Sequence, residues 1–457
     1  MMRRLYSLLL LSVLPFFLIW LFSRMLLTKQ YRRGFTERFG YVPRIDTDPD
    51  SESPISGPRV WVHTASVGEV LAAEPIIRSI ASSRPDTVFI LTANTDTGHA
   101  AAAEKMPFIM RIVQTPFDLP NCQRRFYSRI HPDLIIIMET ELWPNMIYSA
   151  QIRNIPVIIA NGRISDRSYP RYHRLRRFFF PILNGVTAFA MQSPIDAERM
   201  ITLGAPPDRV SIAGNVKYDR EHDLKPPPEL QTLISDLGWT VNCRLLVAGS
   251  THPGDEDQLF RVIKNLPQTG HHRFRMILAP RHLDRVDAIR ARLTQAGIPF
   301  ICRSDSARLR CGGVIDPASI RLVILDRMGE LGRAYGLGHV AFIGGTFESV
   351  GGHNLLEPAA HAIPVLFGPH TFNFKDIAEK LIQSGGARRV TDADDLIRVL
   401  SMLFAEEAVR RDMGRRAFTV FESNRGAVDR HLAVILPLMP SVNHDDQTGS
   451  SGAISGD

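Results

Sequence analysis

The sequence predicts an α/β protein of two doubly wound domains with an apolar helix ahead of them. Three observations carry that expectation: an uncharged N-terminal run, two series of short apolar runs alternating with helical patterns, and a proline-rich break between the series. At 457 residues the chain is long enough for two or three ordinary domains. With 44% hydrophobic and 22% charged residues it can bury substantial cores. The net charge of +7, much of it arginine, fits nucleic acid, an anionic membrane or a phosphorylated substrate and does not choose among them. The four cysteines, Cys122, Cys243, Cys302 and Cys311, form no CxxC pair and no zinc spacing, and read as reduced thiols of a cytoplasmic protein.

The first element is LYSLLLLSVLPFFLIWLFS, residues 5–23, which carries no charge. A helix of that length spans about 28 Å, close to the hydrocarbon thickness of a bilayer. Pro15 is a candidate kink. Arg3 and Arg4 precede the run, and Arg24, Lys29, Arg32, Arg33 and Arg38 follow it. The heavier positive flank places the rest of the chain on the cytoplasmic side and sets that flank against anionic headgroups. A cleaved signal peptide is the competing reading, and the lack of a small-x-small site after the run favours an anchor. Residues 1–28 are therefore expected to be a single-pass transmembrane anchor.

The first α/β series has strand candidates RVWVHTA, TVFILTA, RIVQTPF, DLIIIMET, IPVIIANGR, TAFAMQS and VSIAGNVK, beginning at Arg59. YDREHDLKPPPEL follows, too polar and proline-rich for a helix or strand to cross. The second series is RLLVAGS, RMILAPRH, PFICRS, RLVILDRMGE, VAFIGGT and IPVLFGPH. Continuous apolar runs separated by helix-length segments argue for buried parallel strands. The expected domains are 29–217 and 233–440, joined by a linker at 218–232. The tail at 441–457 and DTDPDSESPISGP near residue 50 read as disordered.

Parallel sheets hold ligands outside the carboxyl ends of their strands. Polar residues crowd those exits in both series, which points to one cleft between two facing domains. In HTASVGEV, Glu69 falls in a first helical turn with Ser66 three residues earlier. That is capping-box spacing, and it equally suits a general base taking a proton from a substrate hydroxyl. In IMETELWPN, Glu139 and Glu141 follow an apolar strand, and alternation along an extended chain would point them the same way. Both also fit as acidic residues at a helix N-terminus. Lys217 in GNVKYD either neutralises a phosphate or developing negative charge, or is a solvated lysine.

In the second series, APRH places Arg281 at a strand exit, suited to bidentate phosphate or carboxylate contacts. DRMGELG places Gly329 where backbone can approach a ligand, with Glu330 at a helix start. In GGHNLLEP, Asn354 and Glu357 again have capping-box spacing. The other reading aims backbone N–H groups at an anion and lets the glutamate bind sugar hydroxyls.

Neither series has a Walker lysine, a GxGxxG after its first strand, or a His/Cys cluster of ligand spacing, and no metal site is expected. The acidic DTDPD lies in a polar loop outside both cores. RISDRSYPRYHRLRRFFFPIL, residues 163–183, alternates arginines with aromatics. It reads as an amphipathic helix with a solvated basic face, as an interfacial segment, or as a contact for single-stranded nucleic acid, and the anchor favours lipid.

Together the motifs HTASVGE, IMETELWPN, GNVKYD, APRH, MGELG and GGHNLLEPAAHAIPVLFGPHTFNF resemble those of the 3-deoxy-D-manno-octulosonic acid (Kdo) transferases of bacterial lipopolysaccharide assembly. Their order and spacing agree from about residue 1 to residue 440, and the long last motif is the most specific. The resemblance implies the GT-B glycosyltransferase architecture, two Rossmann-like domains. It implies transfer of Kdo from CMP-Kdo to the lipid A precursor lipid IVA, at the cytoplasmic side of the inner membrane. Glu69 would be the catalytic base, with Glu139 and Lys217 stabilising the transition state. Pro280, Arg281, Met328, Gly329, Glu330, Asn354, Leu355, Leu356 and Glu357 would bind CMP. The implied partners are CMP-Kdo, lipid IVA and anionic lipids, with no cofactor and no nucleic acid. Two other classes fit the same architecture: a nucleotide-sugar epimerase, which needs no anchor, and a non-catalytic membrane-tethered nucleotide-binding protein, which needs no Glu69.

Overall fold

Among the described residues, two parallel sheets of seven strands each form the frame of the chain. The computed structural model describes residues 2–27, 34–45, 57–219, 224–239, 243–306 and 316–440. Lys29, Arg32, Arg33, the DTDPD loop, residues 220–223 of the linker, Cys311 and the tail after 440 lie outside the described residues.

The first sheet consists of β1 (Arg59–His63), β2 (Val88–Ala93), β3 (Arg111–Gln114), β4 (Leu134–Met138), β5 (Val157–Gly162), β6 (Ala188–Met191) and β7 (Val210–Ile212). Its order is β3-β2-β1-β4-β5-β6-β7. β1 and β4 are adjacent and in register, with Val60 opposite Leu134 and His63 opposite Ile137. Their side chains alternate between two cores. Trp61, Ile135 and Ile137 enter one; Val60, Val62, Leu134, Ile136 and Met138 enter the other. Burial on both faces explains why these runs are apolar at every position.

The second sheet consists of β8 (Arg244–Thr251), β9 (Phe274–Pro280), β10 (Phe300–Cys302), β11 (Leu322–Ile324), β12 (Val340–Ile343), β13 (Val365–Phe367) and β14 (Ala387–Arg389). Its order is β10-β11-β9-β8-β12-β13-β14. The sequence reading missed β14, whose residues ARR hide a three-residue edge strand in a charged run.

Chain contacts divide the protein into two units, Met1–Arg220 with Arg425–Asp457, and Glu221–Asn424. The boundary falls inside the expected linker, although the helix Pro228–Asp236 already begins within it. The expected second domain, 233–440, differs from this at its end. The helix Ala427–Ile435 belongs to the first unit, where Ala427, Val428 and Ile435 join the core of β1 and β4. Burying a Val or Ile side chain contributes about 1.5–3 kcal/mol. His431 Nε2 accepts the Asn161 N–H at 2.8 Å, and the Arg430 guanidinium donates to Ala213 O at 2.8 Å. These partners lie more than two hundred residues upstream, beyond the reach of local sequence patterns.

The N-terminal helix Met2–Leu27 is continuous through Pro15. Its segment Arg3–Arg24 is long and apolar enough to cross a membrane. Leu5, Leu8, Leu9, Phe16, Ile19 and Phe22 are exposed. Its other side touches the first unit. Arg3 donates to Asn145 Oδ1 at 3.2 Å, Phe17 packs edge-on to Phe117, and Tyr6 meets Phe178.

Candidate active site

In each sheet the chain winds outward from a central strand in both directions, leaving a switch point beside that strand. In the first sheet it lies between β1 and β4, and the predicted catalytic residues leave from those two strands.

After β1, Ser66 caps the helix Val67–Ser83, its Oγ accepting the Glu69 N–H at 3.4 Å. Glu69 reaches back. Its Oε2 accepts the Ala65 N–H at 2.7 Å and its Oε1 accepts the Ser66 hydroxyl at 2.9 Å. Ser66 supplies its half of the expected capping box, but the Glu69 carboxylate turns back to the Ala65 N–H and the Ser66 hydroxyl instead of the Ser66 N–H, and these bonds fix the carboxyl of a buried glutamate at the strand exit. Burial pushes the Glu69 carboxyl up to about 7. The two hydrogen bonds oppose this rise, while the nearby charges of Glu141 and Glu139 add to it. A carboxyl at that value is half ionised near neutrality, as a general base requires. One geometry is compatible with both the structural and the catalytic readings of Glu69.

After β4 the chain turns at once. Glu139 has φ 56°, a left-handed conformation uncommon for a side chain of this type. The expected alternation of Glu139 and Glu141 fails for that reason, because residues 139–140 are not extended. Glu139 Oε1 accepts from Lys217 Nζ at 3.0 Å, whereas Glu141 accepts from Trp143 Nε1 at 3.0 Å. Burial raises the Glu141 carboxyl, and the charge of Glu139 adds to the rise. Lys217 does not end a strand. It lies five residues past β7 in a short 3-10 turn, Val216–Tyr218, where Asn215 Oδ1 accepts the Lys217 N–H and Asn161 Oδ1 accepts the Val216 N–H. Beneath this group His63 is fully buried and bonded through Nδ1 to the Thr92 hydroxyl. Burial drives His63 down to about 3, so it is neutral. Glu69, Glu139, Glu141 and Lys217 thus gather at one end of the first sheet.

The predicted nucleotide-binding residues all lie in the second unit. Pro280 ends β9, and Arg281 follows it, exposed, with its N–H on Thr251 O at 3.1 Å. Met328 is 73% exposed and Gly329 has φ +80° with open space around its Cα. Glu330 Oε1 accepts from the buried Arg303 at 3.2 Å, and its Oε2 has no partner among the described residues. Asn354 donates to Glu357 Oε1 at 3.1 Å and accepts the Leu356 N–H at 3.1 Å. The helix it introduces, Leu356–Ala359, is a single turn. Asn354 lies one residue outside its cap, so the expected helix-start dipole there is slight. Leu355 and Leu356 are buried, which leaves their backbone to meet a ligand. Glu357 lies close to Gly332, linking the GGHN segment to the MGELG segment.

Among the described residues, no group of three or more His, Cys, Asp or Glu could hold a metal ion. Sequence reasoning gave no role to His252 and His353, which are in direct contact across 101 positions.

A family model for 3-deoxy-D-manno-octulosonic-acid transferase (kdotransferase) matches residues 33–220. The chain is 32% identical over 442 residues to a 3-deoxy-D-manno-octulosonic acid transferase of Haemophilus influenzae, covering 96% of this chain and 99% of that one. It is 30% identical over 477 residues to another from Rickettsia typhi, covering 96% and 100%. Among solved structures it is similar to the UDP-GlcNAc 2-epimerase from Neisseria meningitidis bound to UDP-GlcNAc. There the TM-score is 0.57 at 11% identity, over 83% of this chain and 100% of that one. At that identity the likeness shows the fold alone, and it agrees with the expected GT-B class of two Rossmann-like domains. Fold, motif order and these relatives agree: the chain belongs to the 3-deoxy-D-manno-octulosonic acid transferase family.

Proposed function

We propose that this enzyme transfers Kdo from CMP-Kdo to lipid IVA and releases CMP. The observation that carries the reading is Glu69, a buried carboxyl pushed up to about 7 and held in place by Ala65 and Ser66. An acceptor sugar hydroxyl is a weak nucleophile and needs such a base. In the reaction the acceptor oxygen bonds to the anomeric carbon of Kdo and its proton passes to Glu69. The bond from that carbon to the phosphate oxygen breaks, and its electron pair leaves with CMP. Glu139 faces the positive charge that develops on the sugar, and Lys217 balances that carboxylate from 3.0 Å. Pro280, Arg281, Met328, Gly329, Glu330 and residues 354–357 hold CMP. The donor and acceptor are the substrates; no cofactor and no nucleic acid enters the reading.

The helix Arg3–Arg24 supports a single-pass anchor in the inner membrane, with both units on the cytoplasmic side. The basic aromatic segment supports contact with anionic lipid. It folds as two helices, Tyr169–Arg174 and Arg176–Leu183, with Phe180 exposed. Arg176, Arg177 and Phe180 line an open cavity with Thr202, Leu203 and Gly204. Phe178 touches Tyr6 of the apolar helix, so the two membrane-directed elements adjoin.

The test is mass spectrometry of lipid IVA incubated with CMP-Kdo and pure enzyme. The wild type adds one or more Kdo masses, and Glu69→Gln binds CMP yet adds none. An unmodified acceptor with the wild type, or an isomerised nucleotide sugar, overturns the reading.

A further inference from the structure

The second sheet has its own switch point, between β8 and β12 on either side of which the winding reverses. A ligand of an open parallel sheet is expected in the crevice there. His252 follows β8 directly, at the start of the helix Pro253–Asn265. Gly344 and Gly345 follow β12, and His353 comes eight residues after Gly345. The two imidazoles lie almost parallel, at an interplanar angle of 7°, with their Nε2 atoms 3.0 Å apart. Both rings are half-buried and so remain within reach of a ligand.

This contact is built rather than incidental. Asp255 is fully buried and ties the two loops together. Its Oδ2 accepts the N–H of His252 at 2.9 Å and of Gly345 at 2.6 Å, and its Oδ1 accepts that of Phe347 at 3.1 Å. Gly345 has φ +69°, and a Cβ there would come within 3.4 Å of both rings. The glycine turn lies flat against the histidine pair.

The charges around the pair are of two kinds. Arg285 is spent on the buried Glu256, at 2.9 and 2.8 Å, and Arg292 also approaches Glu256. Asp255 is spent on three backbone N–H groups. Arg281 and His282 follow β9, and the His282 ring is 5.8 Å from His252. Arg281 has no carboxylate partner among the described residues. An exposed carboxylate, Glu348, lies against Gly254 at the first turn of the helix.

Two imidazole nitrogens in contact hold one proton between them, since two N–H groups would meet head on. The His252 ring also accepts the Asp255 N–H, so a further proton has to part the two Nε2 atoms, and the pair is neutral until an anion accepts both N–H groups. Burial lowers both rings, His353 to about 4, with Arg281, His252 and His282 adding to that effect on His353; on His252 the charges of Asp255 and Glu256 oppose burial, while His282 and Arg285 add to it. An anion placed beside the pair reverses the balance by favouring the charged form.

We infer that His252 and His353 form the seat for the donor's phosphate, and that the pair takes up one proton from solvent when the phosphate docks. The seat rests on the CMP-sugar reading, to which it adds two residues and a proton. Asp255 acts as a positioning residue through them.

The test uses the whole protein and titration calorimetry at pH 7 in two buffers of different ionisation enthalpy. CMP binding to the wild type should take up as much as one proton, and cytidine binding none. His353→Gln and His252→Gln should weaken CMP about tenfold or more and abolish the uptake. Cytidine affinity should stay unchanged, which also reports that the variants are folded. Unchanged CMP affinity, or uptake that survives both substitutions, overturns the seat. If the wild type fails to bind CMP, the CMP-sugar reading falls, and nitrogen-15 NMR of the histidines with inorganic phosphate decides the seat by itself. A phosphate-dependent shift at His252 and His353 upholds it, and no shift overturns it.

Discussion

Ser66→Ala separates the two duties of the Glu69 turn. The serine hydroxyl donates to Glu69 Oε1 at 2.9 Å, and the Ala65 N–H donates to Oε2 at 2.7 Å. Both bonds favour the ionised carboxyl and hold it down against burial. Ser66 is exposed, so its bond is taken at the low end for a charged acceptor, about 1 kcal/mol. That corresponds to a rise of about 0.7 pH units in the Glu69 value. At pH 7 the wild-type carboxyl is close to half ionised, and the variant would be about threefold less so. The direction follows from the chemistry. The base works deprotonated, so the acidic limb of kcat/KM against pH should move upward, with the lost rate recovered about two units above it. Initial-rate measurements of Kdo transfer between pH 5.5 and 9 read this directly. A rate reduced by one factor at every pH would mean that Ser66 only caps the helix. An acidic limb that stays put or moves down would refute the account of Glu69.

Two further outcomes follow. Lys217→Ala removes the ammonium 3.0 Å from Glu139 and should lower kcat about a hundredfold with CMP affinity intact; a loss confined to KM for CMP-Kdo would contradict a transition-state role. Burial holds His431 at about 4 and His63 at about 3, below their ordinary 6.5. Both rings are neutral in the folded chain, so the unfolded chain binds more protons below about 6.5. Stability is thus fully present above that pH and falls as pH drops toward 4. His431→Phe should cost about 1–3 kcal/mol by stranding the Asn161 N–H, and the pH slope of the first unit's denaturation midpoint should flatten. A midpoint unchanged in both respects would contradict this.

The parallel sheets were legible because their strands are buried on both faces. Val60, Val62, Ile135 and Ile136 therefore read as continuous apolar runs. Glu69 was legible as a choice between two roles, and its position at the strand exit is compatible with both. The side chain of Glu139 was misjudged because one residue in the left-handed region reverses the alternation, and a glutamate gives no sign of that conformation. His252 stood at a strand exit and His353 inside the GGHN motif, but their pairing depends on β8 lying beside β12. The helix Ala427–Ile435 fell inside the expected second domain, 233–440. Its partners Asn161, Ala213 and Asp219 are set by tertiary packing alone.

That last helix bears on how the protein is made. The core around β1 and β4 lacks Ala427, Val428 and Ile435 until the intervening unit, Glu221–Asn424, has been synthesised. While that stretch emerges from the ribosome, the first unit carries an uncovered apolar strip and an Asn161 N–H with no acceptor. At a translation rate of about 5–20 residues per second, the exposure lasts on the order of ten to forty seconds. A message broken within that interval yields a first unit that cannot close. Such a fragment keeps an apolar strip exposed, the condition under which incomplete chains aggregate.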